Sequence, residues 1–370
     1  MKIGIDARMT GTGIGRYTSS LIRELAEIDP DNAYTIFVRA AAARFEPPGP
    51  NFRAVVADFG EYSLREQYRL PAIVRRERLD LVHYPHFNVP LLAPTPYVVT
   101  IHDLTHSAHR TGTASSRRLA YALRRRAYDV TLRRSVARAS RVITVSQSTK
   151  QDVLELLGTP SESVSVIYEG VDPARAPGEP EVLERFGLRQ PYFLYVGAAH
   201  PHKNLHLLLQ AFAGLDDTGL QLVLAGKHEP FDAELSRTAA SLGLGSTLVR
   251  PGEVTESELA ALYDGALAYV FVSLSEGFGL PGLEAMAHGV PVLAASATAL
   301  PEIYGEAALY VDPVDLGSVR DGMRRLAEDA VLRAQLIAQG TERVRRYSWA
   351  DMARSTLRIY RDAITAPEAP

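Results

Sequence analysis

The sequence predicts an α/β fold with two domains, each built on a parallel sheet. Short apolar runs of strand length alternate with segments of helical periodicity along most of the chain, and that alternation is typical of parallel sheets. One proline-rich and glycine-rich segment, residues 172–181, interrupts the pattern near its middle. A chain of 370 residues is long enough for two hydrophobic cores. We therefore predict domains at 1–172 and 173–347.

Composition excludes several classes of protein. The chain is 46% hydrophobic and 22% charged and has no cysteine, so disulfides and thiolate chemistry are excluded. Asp6 stands where a signal peptide needs apolar residues. The uncharged stretch 84–102 contains four prolines, so it does not predict a membrane-spanning helix. From these features we expect a cytoplasmic protein.

The first strand is followed by a glycine-rich turn. The strand Lys2–Asp6 leads into Gly11, Gly13 and Gly15, and a helix with apolar residues at helical spacing is predicted over 17–28. This is a Rossmann-like opening, but Arg16 occupies the place of the third glycine of a dinucleotide fingerprint.

The second strand also argues against a nicotinamide cofactor. It covers residues 34–38 and ends in Arg39 rather than in an acid for a ribose. Arg39 is the one feature that would suit NADP, so a nicotinamide enzyme is disfavoured without being excluded.

The stretch 275–287 is the most informative in the chain. It follows an apolar run at 268–273, contains three glycines, and has Pro281 where a helix can begin. Backbone N–H groups at the start of such a helix bind phosphate. Glu276 and Glu284 flank them, and a carboxylate accepts hydrogen bonds from sugar hydroxyls. The alternative is a strand, a glycine turn and a helix stabilised by an acid near its N-terminus.

Glu276 and Glu284 are separated by seven residues, which resembles the E-x7-E motif of the family-four retaining glycosyltransferases with the GT-B fold. The segments 289–294 and 301–303 are also similar to that family. The resemblance implies two Rossmann-like domains facing each other across a cleft, with a helix near 348–370 that packs back on the first domain. It implies that Glu276 contacts the donor sugar and Glu284 the nucleotide ribose, with Gly277, Phe278, Gly279 and Leu280 at the diphosphate.

Segments of the first half resemble the same family. The run from Gly13 to Tyr17 resembles its glycine loop, which implies donor contacts from Gly13, Ile14 and Gly15 and acceptor contacts from Arg16 and Tyr17. His102 and Asp103 end a predicted strand; the resemblance implies His102 beside the donor sugar and Asp103 on the acceptor side. A single histidine is otherwise more often structural. Glu169 replaces the usual Asn of a later turn, and we expect little consequence.

Two loops of the second half complete the predicted donor site. Pro201-His202-Lys203-Asn204-Leu205 resembles the family's Pro-Arg-Lys-Asn-Leu, which implies that Lys203 neutralises the diphosphate. His202 stands where Arg is usual, so the roles of His200 and His202 stay open. Lys203 could instead be a surface residue at a helix start.

The base is expected beside Val254, by resemblance, with Glu256 nearby. A carboxylate can accept hydrogen bonds from two guanine donors, which favours GDP over UDP. The alternative is that Glu256 only stabilises the start of its helix.

Charge is unevenly distributed. The net charge is −3, but the first domain is net positive and the second net negative. Residues 115–141 carry nine arginines and one acid, and Leu119, Leu123, Ala127 and Val130 predict a helix with a narrow apolar stripe. We expect this helix to contact anionic lipid or a lipid-linked diphosphate. A solvated basic helix is the alternative.

Together these features predict a retaining glycosyltransferase that moves a hexose, mannose by resemblance, from a nucleoside diphosphate to a hydroxyl of a cell-envelope glycan or glycolipid. We expect no cofactor and no metal, because the sequence has no Asp-x-Asp motif before a donor site and no cluster with metal-ligand spacing. We expect no nucleic-acid partner and a location at the inner face of the plasma membrane. The alternatives are a GT-B sugar-nucleotide epimerase, a phosphorylase, and a non-catalytic sugar-nucleotide-binding subunit.

Overall fold

A computed structural model describes residues 1–9, 13–40, 46–60, 62–94, 96–104, 118–174, 181–215, 219–227 and 231–365. It describes helix 118–137 by its backbone up to residue 124 and with side chains from residue 125. The chain divides into two compact units, one formed by Met1–Gly170 with Ser348–Pro370 and the other by Val171–Tyr347.

The first unit contains a seven-stranded parallel sheet. Its strands are β1 Lys2–Asp6, β2 Ala33–Val38, β3 Phe52–Val56, β4 Leu81–Tyr84, β5 Tyr97–Ile101, β6 Arg141–Thr144 and β7 Val164–Val166. Their order is β3-β2-β1-β4-β5-β6-β7. The central strands β4 and β5 are buried along their whole length, which is typical of a parallel sheet covered on both faces.

Five α-helices lie in the described part of the first unit; helices are numbered in chain order. They are α1 Gly13–Ile28, α2 Leu64–Glu77, α3 Arg118–Ala137, α4 Gln147–Leu157 and the C-terminal α13 Trp349–Thr365. Helix α13 packs on α1 through a buried face that includes Met352, Thr356 and Tyr360.

A buried polar contact joins α13 to the sheet. His83 lies 2.7 Å from the Tyr360 hydroxyl through Nδ1 and 2.8 Å from Thr100 Oγ1 through Nε2. Burial, together with the nearby His102, lowers the pKa of His83 to about 3, so the ring is neutral near pH 7. A neutral imidazole is one donor and one acceptor, which matches two hydroxyl partners.

The second unit contains a six-stranded parallel sheet. Its strands are β8 Tyr192–Val196, β9 Gln221–Ala225, β10 Leu248–Gly252, β11 Ala268–Phe271, β12 Val292–Ala295 and β13 Ala308–Val311. Their order is β10-β9-β8-β11-β12-β13. Its helices are α5 Glu181–Arg185, α6 Leu205–Ala213, α7 Asp232–Ser241, α8 Glu256–Asp264, α9 Leu280–Ala287, α10 Leu300–Tyr304, α11 Leu316–Glu328 and α12 Ala330–Val344.

Two local predictions need correction. Gly13, Ile14 and Gly15 do not form a loop before α1 but belong to its first turn. In α3 the exposed Val130 and Ala127 are not part of a buried stripe. The described part of α3 packs on the core through the buried Leu132 and Val136 instead. Leu119 and Leu123 lie outside the described side chains.

Within the described residues, no helix has the length and apolar character that spanning a bilayer requires.

Candidate active site

The topology of the second sheet defines a position for a ligand. The strand order reverses between β8 and β11, since β9 and β10 continue to one side and β12 and β13 to the other. Open parallel sheets bind ligands at the carboxyl ends of the strands at such a point. Lys203 follows β8 and Glu276 follows β11, so the topology brings together two predicted site residues that are far apart in sequence.

Backbone contacts fix the loop that carries Lys203. Residues Pro201–Lys203 form one turn of 3₁₀ helix, and Asn204 ends it with a left-handed φ of 59°. The Asn204 side chain donates to the carbonyls of Val272 and Pro313, at 3.2 and 2.6 Å. The N–H of Leu274 donates to the carbonyl of His202 at 2.8 Å. The loops after β8 and β11 are therefore joined directly.

Lys203 and Glu276 form an ion pair at this position. Lys203 Nζ is 2.7 Å from Glu276 Oε1, and the two side chains are 18% and 11% exposed. The ammonium also lies 5.4 Å from the ring centroid of Phe271, a cation–π distance. The N–H of Glu276 donates to Thr298 Oγ1 at 2.9 Å. Each charge thus neutralises the other in the absence of a ligand.

Helix α9 presents its N-terminus beside Glu276. It begins at Leu280, after Gly279 in the left-handed region with φ 98°, and Pro281 lies in its first turn. A Cβ at Gly279 would lie 2.5 Å from the Tyr304 hydroxyl, and that hydroxyl donates to the Gly279 carbonyl at 2.6 Å. Only glycine fits there. Of the first residues of α9, Pro281 has no N–H and that of Gly282 donates to the carbonyl of Gly279 at 3.1 Å, so the N–H groups at and before Leu280 are the ones that suit a phosphate.

Glu284 lies one turn inside α9 and is 9% exposed. The Tyr263 hydroxyl is 3.1 Å from Glu284 Oε2 and 3.2 Å from the carbonyl of Pro281. His288, at the end of α9, is 2.7 Å from Asp264 Oδ1 through Nδ1. These contacts orient Glu284 from helix α8.

The remaining donor-side residues lie farther along the same edge. Val254 and Glu256 follow β10, two strands away from β8. Glu256 is exposed in the first turn of α8, whereas Glu258 completes the capping box with Thr255. The imidazole of His202 stacks on that of His200, with ring centroids 5.7 Å apart.

In the first unit, His102 follows β5 at the carboxyl edge. Its Nδ1 lies 3.0 Å from Glu169 Oε1 and its Nε2 lies 3.0 Å from the carbonyl oxygen of Pro85. Glu169 is 6% exposed. A carbonyl and a carboxylate are both acceptors, and the two contacts together fix the orientation of the ring. The replacement of Asn by Glu169, from which we expected little, therefore supplies the charge opposite His102.

The other residues predicted near His102 differ in exposure. Tyr17 is completely buried; its ring meets that of His102 edge-on at 4.8 Å and its hydroxyl is 3.2 Å from Thr100 Oγ1. Tyr17 therefore packs against His102 and offers no exposed surface for direct contact with an acceptor. Arg16 is half-buried in the first turn of α1, and Asp103 is exposed after β5.

Sequence reasoning missed a second group on this edge. The strand order of the first sheet reverses between β1 and β4, where Arg8 follows β1. Arg8 Nη2 is 2.7 Å from Asp6 Oδ2 and 2.6 Å from Glu66 Oε1. Asn88 donates to both oxygens of Glu66, at 3.1 and 3.0 Å. The signal was an acid and an arginine two residues apart at a strand's carboxyl end.

Among the residues that the structure describes, no group of three or more histidine or acidic side chains could hold a metal ion.

Two parallel-sheet units with charged residues at the switch points are features of glycosyltransferases with the GT-B fold. Residues 183–343 match the model of glycosyl transferases group 1, and residues 11–175 match that of glycosyltransferase family 4. The two models together match most of the chain, which therefore belongs to the family-four glycosyltransferases with the GT-B fold. The predicted fold class and family are both confirmed.

The chain is similar to curated mannosyltransferases. The chain is 28% identical to an O-antigen chain mannosyltransferase B from Escherichia coli, over 95% of this chain and 96% of the relative. It is 32% identical to an MMP alpha-(1->4)-mannosyltransferase from Mycolicibacterium hassiacum, over 73% of this chain and 66% of the relative.

Solved structures support the fold. A sucrose-phosphate synthase from Thermosynechococcus elongatus superposes with a TM-score of 0.80 at 22% identity, covering 99% of this chain and 100% of that one. An Anabaena protein, HepE, whose structure contains UDP and glucose, gives 0.78 at 18% identity, covering 98% and 99%.

Proposed function

We propose that this glycosyltransferase moves mannose from GDP-mannose to a hydroxyl of a glycan or glycolipid acceptor in cell-envelope polysaccharide synthesis, with retention at the anomeric carbon. The observation that carries the proposal is the Lys203–Glu276 pair at the switch point of the second sheet. It provides one cation for a diphosphate and one carboxylate for sugar hydroxyls. The names of the relatives favour mannose and an O-antigen-like product.

On the donor side, the diphosphate would replace Glu276 as the partner of Lys203. The backbone N–H groups of Phe278, Gly279 and Leu280 would bind the same phosphates, and Glu284 would accept from the ribose. Glu276, released from Lys203, would accept hydrogen bonds from the sugar and fix its orientation. Donor binding would therefore weaken the Lys203–Glu276 contact, since the diphosphate and the sugar would compete for the two charges.

The chemistry would be a single displacement on one face of the sugar. The bond between the anomeric carbon and the phosphate oxygen breaks while the acceptor oxygen forms a bond to the same carbon. The acceptor's proton passes to the departing diphosphate. Lys203 and the amides of α9 would stabilise the negative charge of the leaving group by their fixed positions. In this scheme protein groups neutralise the diphosphate, so we propose that no metal is required.

The nucleotide base is the least constrained part of the proposal. Glu256 is exposed at the start of α8, where a carboxylate can accept from two guanine donors and can also stabilise the helix. We propose GDP because guanine offers this carboxylate two hydrogen-bond donors. Loss of GDP selectivity over UDP in Glu256→Ala, with Glu253→Ala as the matched exposed control, would support this assignment. Unchanged selectivity would leave Glu256 as a helix-stabilising residue only.

The acceptor side is proposed to face an anionic membrane or a lipid-linked diphosphate. Helix α2 exposes Leu64 and Tyr68, 78% and 68% exposed, beside the exposed Arg65 and Arg69. Arginine near anionic lipid contributes about 1 kcal/mol each. Replacing Arg65 and Arg69 by Gln should reduce sedimentation with phosphatidylserine vesicles at low salt. Of the arginine-rich segment in α3, Arg124 lies outside the described side chains and Arg126 is exposed.

The proposal is tested by incubating the purified protein with GDP-mannose, with and without a mannoside acceptor, and following products by NMR. Transfer with an α-anomeric product supports a retaining mannosyltransferase, since the donor is α-linked. An epimerised sugar nucleotide formed without acceptor would identify an epimerase instead. Binding of GDP-mannose with neither product would identify a non-catalytic subunit.

A further inference from the structure

A small cavity opens at the switch point of the first sheet. It is lined by Asp6, Arg8, Met9, Ile14, Tyr84, Pro85, His86 and Asn88, and its volume is about 10 Å³. A cavity of that volume holds about one water-sized group. Asp6 ends β1, Arg8 lies two residues beyond it, and Tyr84 ends β4. The strand order reverses between these two strands. The cavity is therefore at the point where parallel sheets bind ligands.

Two buried polar atoms on lining residues have no hydrogen-bond partner among the residues that the structure describes: Arg8 Nη1 and the Tyr84 hydroxyl. The two side chains are 2% and 1% exposed. Arg8 uses its Nε and Nη2 for Asp6 and Glu66, which leaves Nη1 as an available donor. Buried polar groups without partners are costly and usually indicate a bound group.

The surrounding charges decide which group fits. Arg8 already faces two carboxylates, Asp6 and Glu66, and these hold the pKa of Arg8 above its ordinary value although burial opposes this. These carboxylates already match the charge of Arg8, even though burial raises the pKa of Glu66, so the cluster offers no surplus positive charge to a phosphate or a carboxylate. Burial raises the pKa of Tyr84, so its hydroxyl stays protonated at neutral pH. A guanidinium donor and a phenol hydroxyl together suit a neutral hydroxyl group.

We infer that this cavity is a subsite for one hydroxyl group of a sugar acceptor, an inference that rests on the proposed function. The hydroxyl oxygen accepts from Arg8 Nη1 and exchanges a hydrogen bond with Tyr84. Asp6, Glu66 and Asn88 position Arg8. Tyr84 is then a specificity-determining residue for the acceptor that the sequence motifs did not single out.

The test uses Tyr84→Phe, because this change removes only the hydroxyl. Binding of methyl α-D-mannopyranoside, methyl α-D-glucopyranoside and methyl α-D-galactopyranoside is measured by saturation-transfer NMR without a sugar nucleotide. Tyr84→Phe should weaken the tightest of the three by about fivefold, the size of one hydrogen bond. Its melting temperature should stay the same or rise, since a buried hydroxyl without a protein partner is removed.

The matched control is Tyr97→Phe. Tyr97 is 1% exposed and packs edge-on against Tyr84 at 5.6 Å, but its hydroxyl donates to the Ser135 carbonyl at 2.8 Å. This variant should melt at a lower temperature and bind the hexoside normally. If both variants melt lower and lose binding alike, the effect is general destabilisation and the inference fails.

Three other outcomes would overturn the inference. Unchanged binding by Tyr84→Phe would mean that the cavity holds a buried water only. Displacement of the hexoside by inorganic phosphate would assign an anion site. A parent protein that binds none of the three hexosides would lack the subsite. The proposed function fails separately, if the parent does not transfer mannose from GDP-mannose, because hexoside binding is measured without the donor.

Discussion

The two sheets carry charged groups at equivalent positions, but they arrange them in different ways. In the first unit Arg8, 2% exposed, contacts two carboxylates at the carboxyl edge, and one of them, Glu66, is completely buried. In the second unit Lys203 and Glu276 form one pair that solvent still reaches. Buried, multiply bonded charges are costly to separate, whereas a partly exposed pair exchanges partners more easily.

The difference indicates a division of labour. A site that releases a charged diphosphate in every cycle needs groups that exchange partners, and the Lys203–Glu276 pair has that property. A surface that recognises one acceptor needs groups that keep their positions, which the network around Arg8 provides. Under the proposed function, donor chemistry would belong to the second unit and fixed recognition to the first.

The largest expected effect comes from removing the Glu276 carboxylate. Glu276→Ala should lower turnover by about 10² or more, comparable to the loss of one preorganised transition-state contact. Steady-state transfer from GDP-mannose measures it, with Glu253→Ala as the control. Glu253 follows β10 and its side chain is 68% exposed. Equal turnover in the two variants would remove Glu276 from the mechanism.

The stability of the first unit should fall in acid because of the buried His83. The pKa of His83 is lowered to about 3 from 6.5, so the folded state excludes a proton that the unfolded state binds. The stability associated with neutral His83 is complete above pH 6.5 and is lost as the pH falls toward 3, by about 1.4 kcal/mol per pH unit.

Urea denaturation between pH 7 and pH 5, followed by a probe in the first unit, tests this expectation. His83→Gln should flatten the decline, whereas His206→Gln, 42% exposed in the second unit, should not. The same decline in His83→Gln as in the parent would show that His83 does not cause it.

A smaller effect is expected at Glu169. Glu169→Ala removes the carboxylate opposite His102 and should lower turnover about tenfold, since a hydrogen bond to a charged group contributes about 1.5–3 kcal/mol. Donor and acceptor KM should change little. Glu169→Gln keeps an acceptor for His102 Nδ1 and should recover part of the loss. A variant that loses melting temperature and turnover together, without recovery by Gln, would indicate a purely structural role.

The smallest expected effect is that of chelation. If Lys203 and the amides of α9 neutralise the diphosphate, transfer should be unchanged in EDTA. The measurement compares initial rates with EDTA, with Mg²⁺ and with Mn²⁺. A rate that falls in EDTA and returns with either ion would contradict the proposed charge neutralisation.

Much of the second unit could be predicted from sequence because its motifs are local. The end of the strand before Glu276 and the start of the helix after it were predicted within two residues. The pairing of Lys203 with Glu276 could not be predicted, since it depends on the adjacency of β8 and β11. Periodicity within one segment carries no information about which strands are neighbours.

The first unit was less accessible to sequence reasoning for the same reason. Glu66 lies in a helix that no motif marked, and only the fold brings it to Arg8. The burial of Tyr17, and the pairing of Glu169 with His102, likewise follow from contacts between distant segments. In α3 the core-facing residues Leu132 and Val136 stand among arginines in the sequence. The predicted apolar stripe therefore included the exposed Ala127 and Val130 instead.

The most direct test of the proposed role of the Lys203–Glu276 pair at the donor diphosphate is the affinity of two variants for GDP, measured by isothermal titration calorimetry. Glu276→Gln removes the competitor for Lys203 and should bind GDP several-fold more tightly than the parent. Lys203→Met removes the cation and should bind GDP at least tenfold more weakly, since one charge-assisted contact of about 1.5–3 kcal/mol is lost. Opposite shifts in the two variants are the predicted result. Shifts in the same direction, or none in either variant, would contradict the assignment of this pair to the donor diphosphate.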